Sequence, residues 1–508
     1  MSKREFKQNA VQTAAVMVIM ILASKLLGFV RELVIAGSFG TSYVVDAYVL
    51  AQSVPNALLG GLLASVGTAF TPVYSEITEK NNREEGARYT NKVINLAMAV
   101  AFVVFVLGAL FAEQIAGLFT ETFSAEGARL TVFFLRVTFA YAIFSCGASI
   151  TDAFLQYNGR FYSPVIGGYL YNIGIIVVAV ISALTSEYLL AFGMLAGYLL
   201  HLVFNLTIAR RCGYHHRAEI GIDDSIRKTI RLAMPVFFSS CMGSINTFVD
   251  KSLASKLQEG SISALNYGYL LVLMITGLTT GIVMTILYPK LTQAANKKDD
   301  TAYQAMLDLS SAVLMIIAIP FVLGIIAFAE PVVQIVFERG AFDGASTVLT
   351  GSAFLFYGVG ILFSVMTDLM GRICYTMQDT KTPIACAAVS IIVNIIMNII
   401  LVKPLAHGGL ALATSFSSLA NMVMLDIRIR KKYPHLRLFP YKGKILRIII
   451  SAVLAVGIAI VVYQLVQLVW MPRVVYLGLA VFVAAVVYVA MLALLKVEEV
   501  GLLKQLIK

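Results

Sequence analysis

The chain has 508 residues, of which 59% are hydrophobic and only 13% are charged. Soluble domains carry about 25% charged residues, so this composition cannot cover a water-facing protein of this length. It excludes a soluble enzyme, a disordered protein and a secreted disulfide-stapled domain, and it indicates an all-α polytopic membrane protein. The net charge of +11 indicates membrane topology rather than nucleic-acid binding, because the basic residues lie in short loops between apolar segments.

Apolar segments long enough to cross a bilayer recur along the whole chain. About 20 helical residues span a hydrocarbon core of about 30 Å, which predicts about fourteen transmembrane helices. Basic residues cluster in alternate loops, and the other loops are sparse and mostly acidic. The positive-inside rule therefore predicts that both termini lie in the cytoplasm. The predicted helices lie near residues 11–36, 44–74, 90–111, 130–157, 162–185, 188–210, 226–255, 262–290, 303–328, 346–376, 383–402, 407–428, 446–469 and 474–496.

Two pairs of similar motifs indicate an internal duplication. Residues 68–76 end the second predicted helix and resemble residues 285–293 at the end of the eighth. A Ser-Pro step at 163–164 opens the fifth helix, and a Thr-Pro step at 382–383 opens the eleventh. Six helices per copy is an even number, so the copies are parallel repeats, predicted to form two lobes around a central cavity as alternating access requires. The predicted regions are an N-lobe (1–210), a C-lobe (211–430) and two extra C-terminal helices (431–508).

Charged residues in the first two helices are the candidates for a binding site. An ionised side chain at the bilayer centre costs about 2.5–3.5 kcal/mol, so it normally faces a water-filled interior. The first helix carries Lys25, Arg31 and Glu32, and the second begins with Asp46. A guanidinium binds phosphate oxygens through two hydrogen bonds, which predicts a cationic wall for an anionic ligand with Arg31 as its main contact. The alternative is structural, with Arg31 paired to Glu32 or Asp46.

The middle of the second helix is interrupted by a proline just before Asn56, which is a further candidate substrate-binding residue. Proline removes a backbone hydrogen bond and predicts a kink there. A separate set of polar residues could supply oxygen ligands to a monovalent cation, although asparagine-mediated helix packing is the alternative. This set comprises Asp250 in the seventh helix, Asn394 and Asn398 one turn apart in the eleventh, and Thr414 in the twelfth.

The remaining polar residues in the predicted helices suggest no catalytic site. Asp152 lies near a helix end, where a charged side chain can reach water at little cost, and we interpret it as structural. His201 and His407 are isolated, and the sequence has no Gly-rich phosphate loop and no Ser/His/Asp set. The sequence therefore predicts a transporter that is not an enzyme, with a membrane enzyme as the alternative.

Several segments resemble the signatures of the MurJ (MviN) family. They are Ser-Lys-Leu-Leu-Gly-Phe-Val-Arg-Glu at 24–32 and the segments at 158–164, 337–342 and 378–383. The resemblance implies a fourteen-helix flippase of the multidrug/oligosaccharidyl-lipid/polysaccharide exporter superfamily. Its implied substrate is lipid II, the undecaprenyl-diphosphate-linked peptidoglycan precursor, moved by alternating access from the cytoplasmic to the outer leaflet of the bacterial plasma membrane. The implied process is cell-wall biosynthesis, which maintains cell shape.

The resemblance also implies roles for individual residues. Arg31 resembles an essential first-helix arginine of the family, Asp46 resembles its second-helix acid, and Lys25 stands where an arginine is usual. The last two helices resemble a groove for the lipid tail. The family's sodium-site pattern falls on Asp250, Asn394, Asn398 and Thr414, with Asn398 in place of an acid.

Two departures from the family leave other substrates open. Residues 59–60 and Tyr269 stand where the family carries arginines, so the cavity is less cationic than the family pattern. A flippase for another polyprenyl-linked oligosaccharide and a cation-coupled small-molecule exporter are the alternatives. The predicted partners are the lipid-linked precursor, membrane lipids and the cell-wall synthesis machinery, with no nucleic acid and no cofactor beyond a candidate sodium ion.

Overall fold

The chain is α-helical throughout the residues that the computed structural model describes, which are 3–297, 299–468 and 472–497. Strands are absent from these residues. Contacts divide the chain into two compact units. The first comprises residues 1–262 and 339–342, and the second comprises residues 263–338 and 343–508. Residues 498–508, at the end of the predicted 431–508 region, lie outside the described residues.

Eight helices form the first unit, and a short 3₁₀ helix (Glu187–Ala191) precedes the seventh. In this unit α2 packs mainly against α5 and α8, α3 against α5, and α6 against α7. The helices are α1 (Lys3–Phe39), α2 (Tyr43–Lys80), α3 (Arg83–Leu110), α4 (Ala112–Gly117), α5 (Ala125–Tyr157), α6 (Tyr162–Leu184), α7 (Phe192–Arg211) and α8 (Asp224–Ala254).

An aromatic cluster fills the core where α2, α3 and α5 meet. The Phe70 ring is fully buried and stacks on Tyr74 and Tyr89, with ring centroids 5.3 and 5.5 Å apart. The ring of Phe154 from α5 meets Tyr74 edge-on at 5.6 Å. These large apolar faces hold the C-terminal half of α2 against its neighbours.

The predicted interruption of the second helix is confirmed as a bend. The segments Tyr43–Ala57 and Leu59–Lys80 of α2 meet at 44°. Pro55 lies inside the helix just before the bend, where its missing N–H and its ring disrupt the helical hydrogen-bond ladder. Asn56 is exposed beside this bend.

A short segment of the chain, residues 339–342, docks on the end of α1. The Ala341 N–H donates to the Gly37 carbonyl oxygen over 2.8 Å. Gly40 and Gly340 adopt left-handed conformations, with φ of 64° and 59°. A Cβ on Gly340 would come within 2.2 Å of the Gly37 oxygen, so only glycine allows this close backbone approach.

The second unit contains the remaining helices, with a π-helical turn (Val283–Leu287) joining the first two. Its main contacts pair α15 with α16, α11 with α12, and α13 with α14. The helices are α9 (Ser261–Ile282), α10 (Tyr288–Asn296), α11 (Asp300–Phe337), α12 (Gly344–Val359), α13 (Ile361–Thr376), α14 (Lys381–Lys432), α15 (Lys442–Gln467) and α16 (Arg473–Leu494).

Several long helices of this unit are broken near proline. Ala406 has φ 48° and ψ −130°, which divides the 52-residue α14 two residues after Pro404. Phe328 departs from helical geometry three residues before Pro331 in α11, where proline supplies no N–H to the preceding turn. The helices α12 and α13 meet at 42°. These breaks explain why α12 and α13 together cover the one predicted range 346–376, whereas α14 alone covers the two ranges 383–402 and 407–428.

The predicted all-α membrane fold is confirmed. Within the described residues, nine helices are long and apolar enough to cross a membrane, and the number is eleven if each bent pair counts as one span. Helical segments also occupy each of the fourteen predicted ranges, with α14 covering two of them on either side of Ala406. The motifs at 163–164 and 382–383 both open helices, α6 and α14. The boundaries of the predicted lobes stay a prediction.

Candidate binding site in the first unit

Arg31 lies in a polar cluster between α1 and α6. Its Nε and Nη2 atoms donate to the same Glu32 oxygen, Oε1, at 3.1 and 2.6 Å. Its Nη1 atom donates to Asn172 Oδ1 at 3.2 Å, and its Cζ atom lies 5.8 Å from the centre of the Tyr171 ring. Only 16% of the Arg31 side chain is exposed. The guanidinium is therefore paired to Glu32, as in the structural alternative for this residue.

Residues on α6 set the position of the guanidinium. The Asn172 Nδ2 atom donates to the Gly168 carbonyl over 2.9 Å, which leaves Asn172 Oδ1 to accept from Arg31. Gly28 lies one turn before Arg31, and a Cβ there would meet Asn172 Oδ1 at 3.6 Å. This is an ordinary van der Waals distance, so α1 and α6 pack closely here whether or not position 28 carries a Cβ. Sequence alone could not show this pairing, because Asn172 lies far along the chain from Arg31.

Lys25 lies on the same face of α1 as Glu32, two helical turns earlier. Its side chain is exposed, and it makes no hydrogen bond or ion pair with the described residues. A charge that no carboxylate neutralises is available to an anion, whereas the charge of Arg31 is shared with Glu32. The first helix thus presents two cationic side chains: Lys25, whose charge no described carboxylate neutralises, and Arg31, whose charge Glu32 neutralises.

Asp46 has a different partner from Arg31. Its side chain is 1% exposed, and its Oδ2 atom accepts the Gly260 N–H over 2.7 Å. Gly260 has φ 85°, and a Cβ on it would come within 2.5 Å of the Thr41 carbonyl oxygen. The carboxylate therefore ties the first turn of α2 to the segment after α8. Asn56 stays exposed at the bend of α2.

The residues of the candidate cation site belong to both units. Asn394, Asn398 and Thr414 lie together on α14, and Asp250 lies on α8 in the first unit. The Asn398 Nδ2 atom donates to Asn394 Oδ1 at 2.8 Å, and the Asn394 Nδ2 atom donates to Thr414 Oγ1 at 3.4 Å. The Asn394–Thr414 bond joins the two halves of α14 across the break at Ala406, as asparagine-mediated packing does, whereas the Asn398–Asn394 bond lies within the first half. The amide and hydroxyl oxygens of these residues are also of the type that ligates a sodium ion.

The structure pairs two residues that the sequence analysis treated separately. The His201 Nε2 atom lies 3.1 Å from Asp152 Oδ1, and the same oxygen accepts from Asn205 Nδ2 at 2.7 Å. Asp152 and His201 thus lie together in space, which the sequence analysis did not anticipate, and the interpretation of Asp152 as structural stays a prediction. Each lies alone in its own helix, α5 or α7, and only the packing of those helices brings them together.

An apolar cavity of about 370 Å³ lies in the second unit. It is bounded by α11, α12, α15 and α16, and its lining is almost entirely aliphatic and aromatic, with Phe321, Phe328 and Ala459 among the lining residues. The last two helices, α15 and α16, form one wall. A cavity of this chemistry accepts a hydrocarbon chain and excludes a charged headgroup.

Comparison with known proteins places this arrangement in one family. Residues 35–494 match the family described as lipid II flippase MurJ. A lipid II flippase MurJ of Burkholderia cenocepacia is 27% identical over 81% of this chain and 82% of its own length. The probable lipid II flippase MurJ of Haemophilus influenzae is 27% identical over 95% of this chain and 99% of its own length.

Solved structures show the same fold. A lipid II flippase MurJ in an inward closed conformation superposes with a TM-score of 0.79 at 24% identity, covering 94% of this chain and 98% of the other. An inward-facing multidrug resistance MATE family transporter of the MOP superfamily superposes with a TM-score of 0.64 at 14% identity, covering 81% and 96%. At these identities the likeness is one of fold.

Proposed function

We propose that this chain, which belongs to the lipid II flippase MurJ family, moves the undecaprenyl-diphosphate-linked peptidoglycan precursor from the cytoplasmic to the outer leaflet by alternating access. It is a multi-pass membrane transporter and not an enzyme. Its proposed location is the bacterial plasma membrane, with both termini in the cytoplasm, where the alternating basic loops would lie. The match over residues 35–494 is the observation that carries this proposal.

In this proposal the diphosphate binds at the first helix. Lys25 is exposed and forms the first attraction, as a point charge that tolerates many approach directions. Arg31 then exchanges Glu32 for the diphosphate, because its Nε and Nη2 atoms already converge on one oxygen acceptor at 3.1 and 2.6 Å. Two parallel N–H donors suit a phosphate as well as a carboxylate. Asn172 and Tyr171 hold the guanidinium in place during the exchange.

Glu32 has a role in release under the same proposal. A guanidinium without a counter-charge in a largely buried site would bind a diphosphate too tightly to release it. Return of Glu32 to Arg31 restores a neutral pair once the diphosphate leaves. The carboxylate therefore limits affinity and favours turnover. Asp46 supports this site by holding the start of α2 through Gly260.

The isoprenoid tail is proposed to lie against α15 and α16. The apolar cavity of about 370 Å³ beside these helices is lined by side chains compatible with a prenyl chain. Keeping the tail in an apolar environment avoids exposing it to water while the headgroup crosses.

The membrane potential is the proposed driving force. An interior-negative potential favours the outward movement of an anionic headgroup by about 2.3 kcal/mol per charge per 100 mV. The oxygens of Asn394, Asn398 and Thr414 on α14 are the proposed ligands of a sodium ion. The cell-wall synthesis machinery is the proposed partner on the outer side.

A depletion experiment tests the proposed function. The chain is expressed in a cell-wall-requiring bacterium whose own lipid II flippase is depleted, and lipid II is measured separately in each leaflet. We expect outer-leaflet lipid II and growth to be restored. Accumulation of lipid II in the cytoplasmic leaflet despite normal amounts of the chain in the membrane would contradict the proposal. Parallel measurement of other polyprenyl-linked sugars identifies the substrate in that case.

A further inference from the structure

A polar cavity of about 500 Å³ lies inside the first unit, between α2, α5, α6 and α7. Hydroxyl, amide and titratable side chains line it, which is unusual within a membrane span because unsatisfied polar groups there are costly. Its polar lining comprises Thr71, Ser145, Ser149, Asp152, Gln156, Tyr171, Tyr198 and His201. The cavity is large enough to hold several water molecules.

Asp152 and His201 form a pair at the wall of this cavity. The His201 Nε2 atom and the Asp152 Oδ1 atom are 3.1 Å apart, and the two side chains are 10% and 22% exposed. Asn205 fixes the carboxylate from the next turn of α7 by donating to the same oxygen at 2.7 Å. Asn205 itself is held by Thr151 Oγ1 at 3.2 Å. The geometry of the pair is thus set by groups outside the cavity.

We infer that this cavity is a proton-binding site formed by His201 and Asp152. An ionised carboxylate only accepts hydrogen bonds, so Nε2 of the neutral imidazole carries the hydrogen that points to Asp152. The lone pair on His201 Nδ1 then takes a proton from water in the cavity. The pair changes from a net charge of −1 to neutral, and the hydrogen bond between the two residues is kept throughout.

The surroundings of the pair favour this chemistry. Besides Asp152 and His201, the titratable side chains that line the cavity are Tyr171 on α6 and Tyr198 on α7, and α2 contributes only Gly67 and Thr71. Among the described residues, the lining contains no lysine, arginine or glutamate. The carboxylate therefore has the imidazole as its principal cation when a proton is bound. Histidine is the side chain whose ordinary pKa lies near physiological pH.

The imidazole sits in a space that α6 leaves by having glycine at position 167. A Cβ on Gly167 would lie 2.1 Å from His201 Nε2 and 2.0 Å from Cδ2. Any larger residue at this position would push the ring away from Asp152. Three helices therefore contribute to this contact: Gly167 on α6 leaves the space, His201 on α7 fills it, and Asp152 on α5 pairs with the ring.

The proton site shares a wall with the Arg31 cluster. The Tyr171 ring lies under the Arg31 guanidinium and also contacts Tyr198, with ring centroids 4.5 Å apart. Tyr198 in turn stacks on Tyr141 at 5.2 Å. Tyr171 and Tyr198 line the same cavity as His201, so Tyr171 borders both the proton site and the Arg31 cluster. We expect the proton to influence the Arg31 cluster through this wall.

Histidine NMR on the full-length chain in lipid nanodiscs, without any lipid-linked substrate, tests the inference. The chain has five histidines, and the signal lost in His201→Gln identifies the His201 resonance. We expect the His201 resonance to show that the ring binds a proton as the pH is lowered. Asp152→Asn keeps an oxygen to accept from Asn205 but removes the negative charge, so it should lower the proton affinity of His201 by at least about tenfold. The exposed loop substitution His215→Gln should leave the His201 titration unchanged.

Three results would overturn the inference. They are a His201 signal that stays neutral down to about pH 5, a titration that Asp152→Asn does not change, and a titration that sodium suppresses when it replaces choline. The last would make the cavity a metal-cation site. Gly167→Ala provides a second variant, and it should shift the His201 resonance and weaken the dependence on Asp152. Because no substrate is present, failure here leaves the proposed flippase function unaffected.

Discussion

Arg31 and Glu32 are neighbours in the chain and partners in space, with two guanidinium nitrogens donating to the one carboxylate oxygen Oε1 at 3.1 and 2.6 Å. Residues adjacent on a helix point about 100° apart, so both long side chains must turn toward each other to meet. Glu32 positions the guanidinium within a largely buried site and neutralises its charge while no ligand is bound. Its exchange for a diphosphate is the step on which the proposed mechanism depends.

Glu32→Gln should tighten the binding of undecaprenyl diphosphate. The substitution removes the charge that competes with the ligand, and a hydrogen bond to a charged group contributes about 1.5–3 kcal/mol, so we expect roughly tenfold higher affinity. Titration calorimetry on the purified chain measures it. Glu113→Gln is the matched control, because Glu113 pairs with Arg136 at an exposed position and should bind as the unmodified chain does. Equal or weaker binding by Glu32→Gln would show that Glu32 does not compete with the ligand.

Gly324→Leu should weaken the binding of long-tailed lipid diphosphates. Gly324 lines the apolar cavity beside α15 and α16, and a Cβ there meets nothing within 4 Å. Leucine would thus fill part of the cavity without straining the helix. Affinity for undecaprenyl diphosphate should fall severalfold while that for a short-tailed analogue stays unchanged. Gly457→Leu, at an exposed position of α15 outside this cavity, should change neither, and equal losses for both ligands with Gly324→Leu would argue against a tail site.

Gly340→Ala should destabilise the folded protein. Gly340 has φ 59°, and the added Cβ would approach the Gly37 oxygen to 2.2 Å. A side chain in the left-handed region costs about 1–2 kcal/mol before the clash is counted. Thermal unfolding in detergent should show a lower midpoint for this variant. Gly344→Ala is the control four residues later, where a Cβ meets nothing within 4 Å, and similar midpoints for both variants would mean that the 339–342 segment is not held on α1.

Asp223→Asn should destabilise the protein in a way that depends on pH. Partial burial of Asp223 opposes ionisation, but hydrogen bonds from Lys92, Ser225 and the Ile226 N–H lower its pKa to about 2. Because the folded pKa is below the ordinary value of 3.8, the stabilisation is complete above about pH 4 and is lost as the pH falls toward 2. The Lys92 pair at 2.7 Å is partly exposed, so we expect about 0.5–1 kcal/mol at pH 7.

Asparagine keeps the helix cap that Asp223 provides at the start of α8, so this variant isolates the charge. Its unfolding midpoint should fall below that of the unmodified chain at pH 7, and the two should converge under acid conditions. Asp224→Asn is the control, because the Asp224 side chain is fully exposed. A difference that persists at about pH 2 would mean that the effect of Asp223→Asn does not come from the Lys92 pair.

The sequence predicts the membrane fold well because hydrophobic length is a property of single segments. Each of the fourteen predicted ranges is helical, and Pro55 marks the bend of α2 in advance. The identity of Arg31 as a candidate also follows from one helix alone. The sequence of one helix does not show which residues of other helices its side chains will contact.

The contacts that sequence reasoning missed all depend on helix packing. Arg31 meets Asn172 where α1 packs against α6, and His201 meets Asp152 only because Gly167 leaves room for the ring. Asp46 bonds to a backbone N–H at Gly260, and a backbone donor carries no signal in the sequence. Polar residues isolated in their own helices therefore need the tertiary structure before a role can be assigned.

The leaflet distribution of lipid II in cells that depend on an Arg31 variant tests the central claim most directly. Arg31→Lys keeps the charge but loses the paired donors, and Arg31→Ala loses both. With equal amounts of each protein in the membrane, we predict that outer-leaflet lipid II falls strongly for Arg31→Lys and is abolished for Arg31→Ala. Full translocation by Arg31→Ala would contradict the proposal that this guanidinium binds the diphosphate.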